Sequence, residues 1–251
     1  MASYSVTEQT KANRYAERVT YDAPLIHSIL SSSPLTHVSF NAPTSTGPHP
    51  TILPMLSALS SHPLDPSKSV IYLHGSSHSR LTTLCSSPDG LPVTLSTASL
   101  DGYVLALSPF NHSVNYRSAI IYGTAHLVTS PDETLVAMEA ITERLVPGRW
   151  EGSRVPPTPS EVKQTGVLRV EIESASGKAR RGGPHSDRKD ERDAEVTGRV
   201  WTGIVPVWEE MGEPVEGEGN EVGRVPGYIS GWVRGENAGR KAYAEEGAVD
   251  Q

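Results

Sequence analysis

Apolar and polar positions alternate with a period near two through much of this chain, and with a helical period in only a few places. Leu35-Thr36-His37-Val38-Ser39-Phe40 alternates, which predicts a strand with one buried face. Thr51-Ile52-Leu53-Pro54-Met55-Leu56 forms a second β-prone run, and Val70-Ile71-Tyr72-Leu73-His74 an unbroken apolar third. Further strands are expected at 91–98, 102–107, 115–128, 167–173 and 200–208. Pro54 cannot donate to a ladder, so it marks an edge, a bulge or a place where something other than a strand meets the backbone. Helical spacing appears at Leu25, Ile26, Ile29 and Leu30, behind Asp22 as cap and Pro24 in the first turn. It returns over 134–146, opened by Pro131-Asp132-Glu133, striped by Leu135, Met138, Ile141 and Leu145, and stopped at Pro147-Gly148. A turn is expected at 43–48 and a polar loop at 60–67.

With few strand–helix–strand units, this pattern predicts a mainly β fold, a six- to seven-stranded antiparallel barrel with peripheral helices. The expected organisation is a flexible arm at 1–20, one domain at 21–208 and a loose tail at 209–251. Within the domain, 178–198 mixes both charge signs with almost nothing to bury, and reads as a mobile loop.

Composition narrows the function classes. Hydrophobic residues make up 36% of the 251, with 22 glycines and 20 prolines, so a substantial part of the chain is loop. The net charge of −7 comes without any dominant Lys/Arg block, which argues against a nucleic-acid partner. No apolar run approaches the length of a membrane span and residues 1–20 are polar, so a cytoplasmic protein without membrane association is expected. The single cysteine, Cys85, excludes an intrachain disulfide and reads as a small core residue. The chain has no G-x-S-x-G elbow and no P-loop, and the glycines at 217, 219 and 223 lack the spacing and the preceding strand of a dinucleotide turn. His74 and His78 are separated by Gly75 and Ser76 with no acidic or thiol neighbour, so no metal site is expected.

The stretch that offers chemistry is the corner after the third run, Leu73-His74-Gly75-Ser76-Ser77-His78-Ser79-Arg80-Leu81. Strand, Gly/Ser turn, basic residue and helix start make a place for an anion. First-turn N–H groups point outward, Ser76, Ser77 and Ser79 bring hydroxyl donors, and Arg80 can fork two phosphate oxygens. Neighbouring strands with flat apolar faces and edge amides suit a planar phosphorylated ligand. His74 reads either as a satisfied polar residue or as one facing a ligand.

Four stretches in order resemble the FMN-binding split-barrel proteins of the pyridoxamine-phosphate-oxidase-like superfamily, closest to the Nim-type (nitroimidazole-resistance-like) branch. They are Thr51-Ile52-Leu53-Pro54-Met55, then Val70 to Gly75 with Ser79-Arg80-Leu81, then Asn115-Tyr116-Arg117-Ser118-Ala119-Ile120-Ile121-Tyr122-Gly123, and Trp201-Thr202-Gly203-Ile204-Val205-Pro206. The resemblance implies a homodimer with FMN at the subunit interface. It would set Leu53, Pro54 and Met55 along the flavin ring and offer it their backbone groups, with His74 and Gly75 at its ribityl or ring edge, and Ser79 and Arg80 on the phosphate. Ser118 would face the cofactor from the following long strand, and Trp201 would approach from the partner subunit. Arg117, on the face opposite Ser118, is expected to make a surface ion pair. The Arg-x-His-x-Arg-like ending of true pyridoxamine-phosphate oxidases is absent from Gly227-Tyr228-Ile229-Ser230-Gly231-Trp232-Val233-Arg234, which counts against vitamin B6 oxidation.

The function this implies is that of an FMN-dependent oxidoreductase reducing a small planar acceptor, of nitro-aromatic or quinone type, with NAD(P)H as a candidate donor. His74 would be the one candidate proton donor. The alternatives are a flavin-binding or redox-sensing module without turnover, and a split barrel holding haem with His74 or His126 as axial ligand.

Overall fold

The predicted β-runs reappear as seven hydrogen-bonded strands in the computed structural model, which describes residues 3–42, 47 and 49–249. In chain order the elements are β1 (Val19–Thr20), α1 (Ala23–Leu30), β2 (Leu35–Phe40), β3 (Thr51–His62), β4 (Asp65–Ser76) and α2 (Arg80–Leu84). They continue with β5 (Leu91–Leu105), β6 (Ser113–Leu127), α3 (Pro131–Leu145), α4 (Pro159–Gln164) and β7 (Thr165–Arg180). Last come α5 (Arg188–Glu191), α6 (Ala194–Arg199), β8 (Gly203–Pro206) and α7 (Gly227–Val249). The sheet has eight strands in the order β1-β7-β4-β3-β2-β5-β6, with β8 on β5, and a β7–β6 pairing returns the order on itself. The eighth strand, β1, has two residues and is too short to show a period, while 91–98 and 102–107 run together as β5.

Contacts divide the chain into two units, Met1–Ala98 with Ser118–Gly177, and Ser99–Arg117 with Lys178–Gln251. In the first unit β4 is buried on both faces, which is why its sequence is a continuous apolar run. Ile71 and Leu73 join Val38, Leu95, Ile121 and Leu168 in the larger core, which α1 covers with Ile26 and Ile29. Val70 and Tyr72 face the other way, onto Ala137 and Ile141 of α3. Each fully buried side chain of this size stabilises the fold by ~1.5–3 kcal/mol. Helix α3 is held by more than apolar contact. The Tyr72 hydroxyl donates to Glu133 at 3.2 Å, and Arg169 of β7 binds both Glu133 oxygens at 2.8 and 3.0 Å. Burial pushes the Tyr72 phenol up to about 12, so it stays a donor.

Local signals account for the element starts. Asp22 accepts the Leu25 N–H at 2.9 Å and Ser130 caps α3. In β2 the buried face is Thr36, Val38 and Phe40, and the Thr36 hydroxyl is satisfied by Ser57 at 2.6 Å. A Cβ at Gly123 would run into the Glu171 carbonyl, so the β6–β7 approach requires glycine there.

Three expectations change in this unit. The polar loop expected at 60–67 is a hairpin, paired through Ser61↔Ser69 and His62↔Asp65, because backbone ladders tolerate the serines that mask a strand in the apolar pattern. Residues 3–20 are tied down rather than a free arm. The Tyr4 N–H bonds the Tyr21 carbonyl at 2.8 Å, the Tyr4 hydroxyl meets His27 Nε2 at 2.6 Å, and Thr10 is buried. The α3 stripe is rotated: Thr134, Ala137 and Ile141 are buried while Leu145 is exposed. The turn expected at 43–48 lies, apart from Gly47, outside the described residues.

In the second unit β8 pairs with Gly102–Leu105 and keeps only four residues of the strand expected at 200–208. Arg117 does form an ion pair, with Asp101 at 3.2 Å, but not at the surface, since the side chains are 17% and 7% exposed. Burial raises the Asp101 carboxyl while Arg117 opposes the rise. The expected loose tail contains the 23-residue helix α7. Glycine at 227, 231, 235 and 239 hides this helix from a propensity reading, at a cost of ~1 kcal/mol for each interior one. Tertiary contacts offset the cost. Tyr243 has the Arg117 guanidinium 3.8 Å and that of Arg181 4.8 Å from its ring centroid, and the Gly247 carbonyl accepts the Gly182 N–H at 2.9 Å. Of the stretch expected as a mobile loop, 178–180 completes β7, and α5 and α6 occupy much of the rest. Among the described residues no helix is long and apolar enough to cross a membrane.

Candidate functional site

The corner after β4 forms a strand-to-helix turn. The Ser79 N–H bonds the Ser76 carbonyl at 3.0 Å, and the Ser79 hydroxyl caps α2 by accepting the Thr82 N–H at 3.1 Å. The Ser76 hydroxyl accepts the His78 N–H at 3.2 Å. Helix α2 has only five residues, so its dipole adds less than a longer helix would, and Arg80 is the charged group at its start. The Arg80 guanidinium donates to the Thr51 hydroxyl at 2.9 Å and makes no ion pair among the described residues. A cation held by a neutral hydroxyl keeps its charge available to an incoming anion.

That bond reaches across a parting of strands. β3 pairs with β2 from Thr51 to Leu56, but with β4 only from Ser57 onward. Beyond Leu73, β4 continues on β7 alone, through His74↔Val167, Gly75↔Gly166 and Ser76↔Thr165. The start of β3 therefore has an unpaired edge, which is where Pro54 sits. In the opening lie the residues of one face, Thr51, Leu53 and Met55. A Cβ built on Gly75 would stand 3.8 Å from Met55 Cε, so these two residues border the same cleft. Along this parting lie Leu53, Met55, Gly75, Ser76, Ser79 and Arg80 of the expected set, with Thr51 joined to Arg80 by its hydrogen bond and Met55 beside Gly75.

His74 is not among them. Side chains alternate along β4, and His74 shares the Val70–Tyr72 face, away from Gly75. There it lines a separate cavity of about 340 Å³ with Met138 and Ile141 of α3 and with Trp150, Val155 and Pro157 of the connector that follows. Its Nδ1 is buried without a hydrogen-bond partner among the described residues, and burial lowers its pKa, which favours the neutral imidazole. The connector is fastened at both ends by carboxylates. Glu143 accepts the Gly148 and Trp150 N–H groups at 2.6 and 2.7 Å, and Glu161 accepts the Thr158 N–H at 2.7 Å. Arg154 donates to both Glu161 oxygens at 2.6 and 2.7 Å, and holds that carboxyl down to about 2.

Alternation also turns Pro54 to the face opposite Leu53 and Met55, so its ring does not line the cleft. Ser118 lies on β6, on the face of Ile120 and Tyr122. Trp201 belongs to the second unit and is 64% exposed. His126 packs beside the Gly90 turn, where an added Cβ would fall 2.6 Å from its ring. The sequence pattern gives no warning of the His74 cavity beyond Trp150, a large apolar residue in a proline-rich connector.

Two solved structures match over most of the chain. The flavocytochrome Anf3 from Azotobacter vinelandii is 26% identical, covers 90% of this chain and 97% of its own, and superposes with a TM-score of 0.74. The FAD and heme binding protein from Mycobacterium smegmatis is 25% identical, with 86% and 97% covered and a TM-score of 0.71. A putative 5-nitroimidazole antibiotic resistance protein from Bacteroides thetaiotaomicron is more distant, at 16% identity, 64% and 85% coverage and a TM-score of 0.47. No curated protein matches the sequence. The family model described as pyridoxamine 5'-phosphate oxidase matches residues 22–179, from the cap of α1 nearly to the end of β7, and the chain belongs to that family.

Proposed function

We propose that this protein binds a flavin nucleotide in the β3–β4–α2 cleft and haem in the His74 cavity, and that it transfers electrons between such groups and a small acceptor. The observation that carries the reading is the division of β4 into two faces. Gly75 leads to a cationic, hydroxyl-rich cleft, and His74 to an apolar cavity with a neutral imidazole. Two solved structures of comparable length, described as a flavocytochrome and as an FAD and heme binding protein, support the pairing.

In the cleft, Arg80, held by Thr51, takes the phosphate nearest the ribityl chain, which FMN and FAD share. Ser76 and Ser79 lie beside it, and Leu53 and Met55 give the ring an apolar wall. The exposed Trp201 suits a flavin covered by a second copy of the chain, and Ser118 remains a candidate contact from β6. The residues of the His74 cavity fit haem in two respects. The neutral imidazole keeps a nitrogen lone pair for iron, and Met138, Ile141, Trp150 and Val155 offer apolar walls. A bound flavin supplies hydride and one-electron chemistry, and haem one-electron chemistry. The protein's part is to orient them, exclude water and set their potentials. A nitro-aromatic or quinone acceptor with NAD(P)H as donor is the proposed reaction. With its side chain turned away from the cleft, His74 is not its proton donor.

An absorption spectrum of the purified protein, before and after addition of FMN, FAD and hemin, tests the reading. Flavin bands together with a histidine-ligated Soret band are expected. A protein that takes up neither flavin overturns the flavoprotein proposal, and one that takes up flavin but not hemin removes the haem half. Steady-state NAD(P)H oxidation then separates an enzyme from a flavin-binding sensor.

A further inference from the structure

The rim of the His74 cavity has one basic and one acidic side chain, Arg154 and Glu161, both among its lining residues. We infer that Arg154 recognises a carboxylate on the edge of the cavity's ligand, exchanging its contact with Glu161 for that group. The inference rests on the haem reading, in which the carboxylates are the propionates.

Among the described lining residues Arg154 is the one arginine or lysine and Glu161 the one carboxylate, the rest being apolar or uncharged polar side chains and His74, so an anionic ligand edge finds its counter-charge at Arg154 and competes with Glu161 for it. Its present pairing is a surface one. The Arg154 and Glu161 side chains are 61% and 49% exposed, and an exposed ion pair contributes little to stability. Donor capacity also remains. One terminal nitrogen serves both Glu161 oxygens, and the other makes a single 3.2 Å bond to the Pro156 carbonyl. A guanidinium has five N–H groups in a planar fork, so a second carboxylate can be taken up as the first is released. Glu161 does not need Arg154 to stay in place, because it also accepts the Thr158 N–H as half of the capping box that starts α4. The strap from Trp150 to Pro157 keeps its other anchor, Glu143, whichever partner Arg154 chooses.

Exchange and a merely structural latch predict opposite signs for the two partners. If Arg154 only fastens the strap, loss of either residue loosens the cavity and weakens binding alike. If Arg154 is the carboxylate receptor, Glu161 competes with the ligand, and removing its charge strengthens binding.

Titrating the full-length protein with hemin and with hemin dimethyl ester, read at the Soret band, decides between these. Arg154→Ala should lower hemin affinity about tenfold and leave the ester nearly unchanged, as fits loss of one charge-assisted contact at a wet rim. Arg154→Lys should recover part of the loss, and Glu161→Gln should raise hemin affinity severalfold without affecting the ester. Equal losses for hemin and ester in Arg154→Ala, or weaker hemin binding in Glu161→Gln, overturn the inference while the haem reading stands. Wild-type protein that binds neither compound overturns both. Should Arg154→Ala fail to fold, the Arg154→Lys and Glu161→Gln pair still separates exchange from latch by the direction of the shift.

Discussion

The two faces of β4 are built from one run of residues but meet different surroundings. On the Gly75 face the strand opens where β3 and β4 part, leaving backbone edge, hydroxyls and a guanidinium that has no ion pair among the described residues. On the His74 face the same strand is roofed by α3 and its connector, and the imidazole nitrogen buried there, Nδ1, has no partner. Desolvation explains the contrast. A cation is stable where water can still reach it, and an imidazole driven to neutrality is stable where water cannot. Strand alternation thus places two kinds of site within a single residue step.

Removing His74 should break the comparison most sharply. His74→Ala is expected to abolish a histidine-ligated Soret band and to weaken hemin binding by more than the roughly 100-fold typical of losing an outer-shell partner. Flavin binding should persist, since the side chain lies on the other face, and coupled loss of both in titrations would show that the faces are not independent. Arg80→Ala is the converse test. Flavin affinity should fall by about 1–3 kcal/mol, the range for a charge-assisted hydrogen bond, with hemin binding unchanged. Calorimetric titration with FMN and FAD measures it, and unaltered affinity would place the phosphate elsewhere.

A pH series sharpens the His74 side. Its pKa is lowered in the folded state by burial, so the unfolded chain binds the proton more readily. Stability is therefore fully present above the unfolded value of about 6.5 and declines as pH falls below it, by at most a factor of about ten in the folding constant per pH unit for one proton. Denaturant midpoints at several pH values should fall less steeply for His74→Gln than for wild type, an experiment in which the similarly shifted His27 cancels. The smallest effect is expected from Gly75→Ala. The added methyl meets Met55 Cε at 3.8 Å, an ordinary contact, so stability should change by no more than ~0.5 kcal/mol. Flavin affinity should drop a fewfold as the cleft narrows, and a melting curve beside a flavin titration separates the two quantities.

Much of the cleft is legible in the sequence, because its signals are local. A Gly/Ser turn leading to Arg80 at the start of a short helix follows from four or five neighbouring residues, and Pro54 on an unpaired edge follows from a missing N–H. Which serine caps the helix, Ser79, is seen only in the structure. The cavity is not legible, because His74 and Trp150 are 76 positions apart in sequence (150 − 74 = 76) and meet only after α3 has packed on β4. Helix α7 is hidden for a related reason. Its glycines lower local propensity, while the contacts that hold Tyr243 and Gly247 come from residues distant in sequence.

By itself the sequence determined a mainly β barrel, the edges of its strands, the strand–turn–helix corner that ends in Arg80 and the family resemblance, since period, turn chemistry and short motifs are written in neighbouring residues. Tertiary structure alone decided which face of β4 each residue serves, that Arg117 is buried against Asp101, and that a second cavity exists. Those outcomes depend on which elements come to cover which surfaces, and burial, the quantity that sets charge and hydrogen-bonding demands, exists only once they have done so.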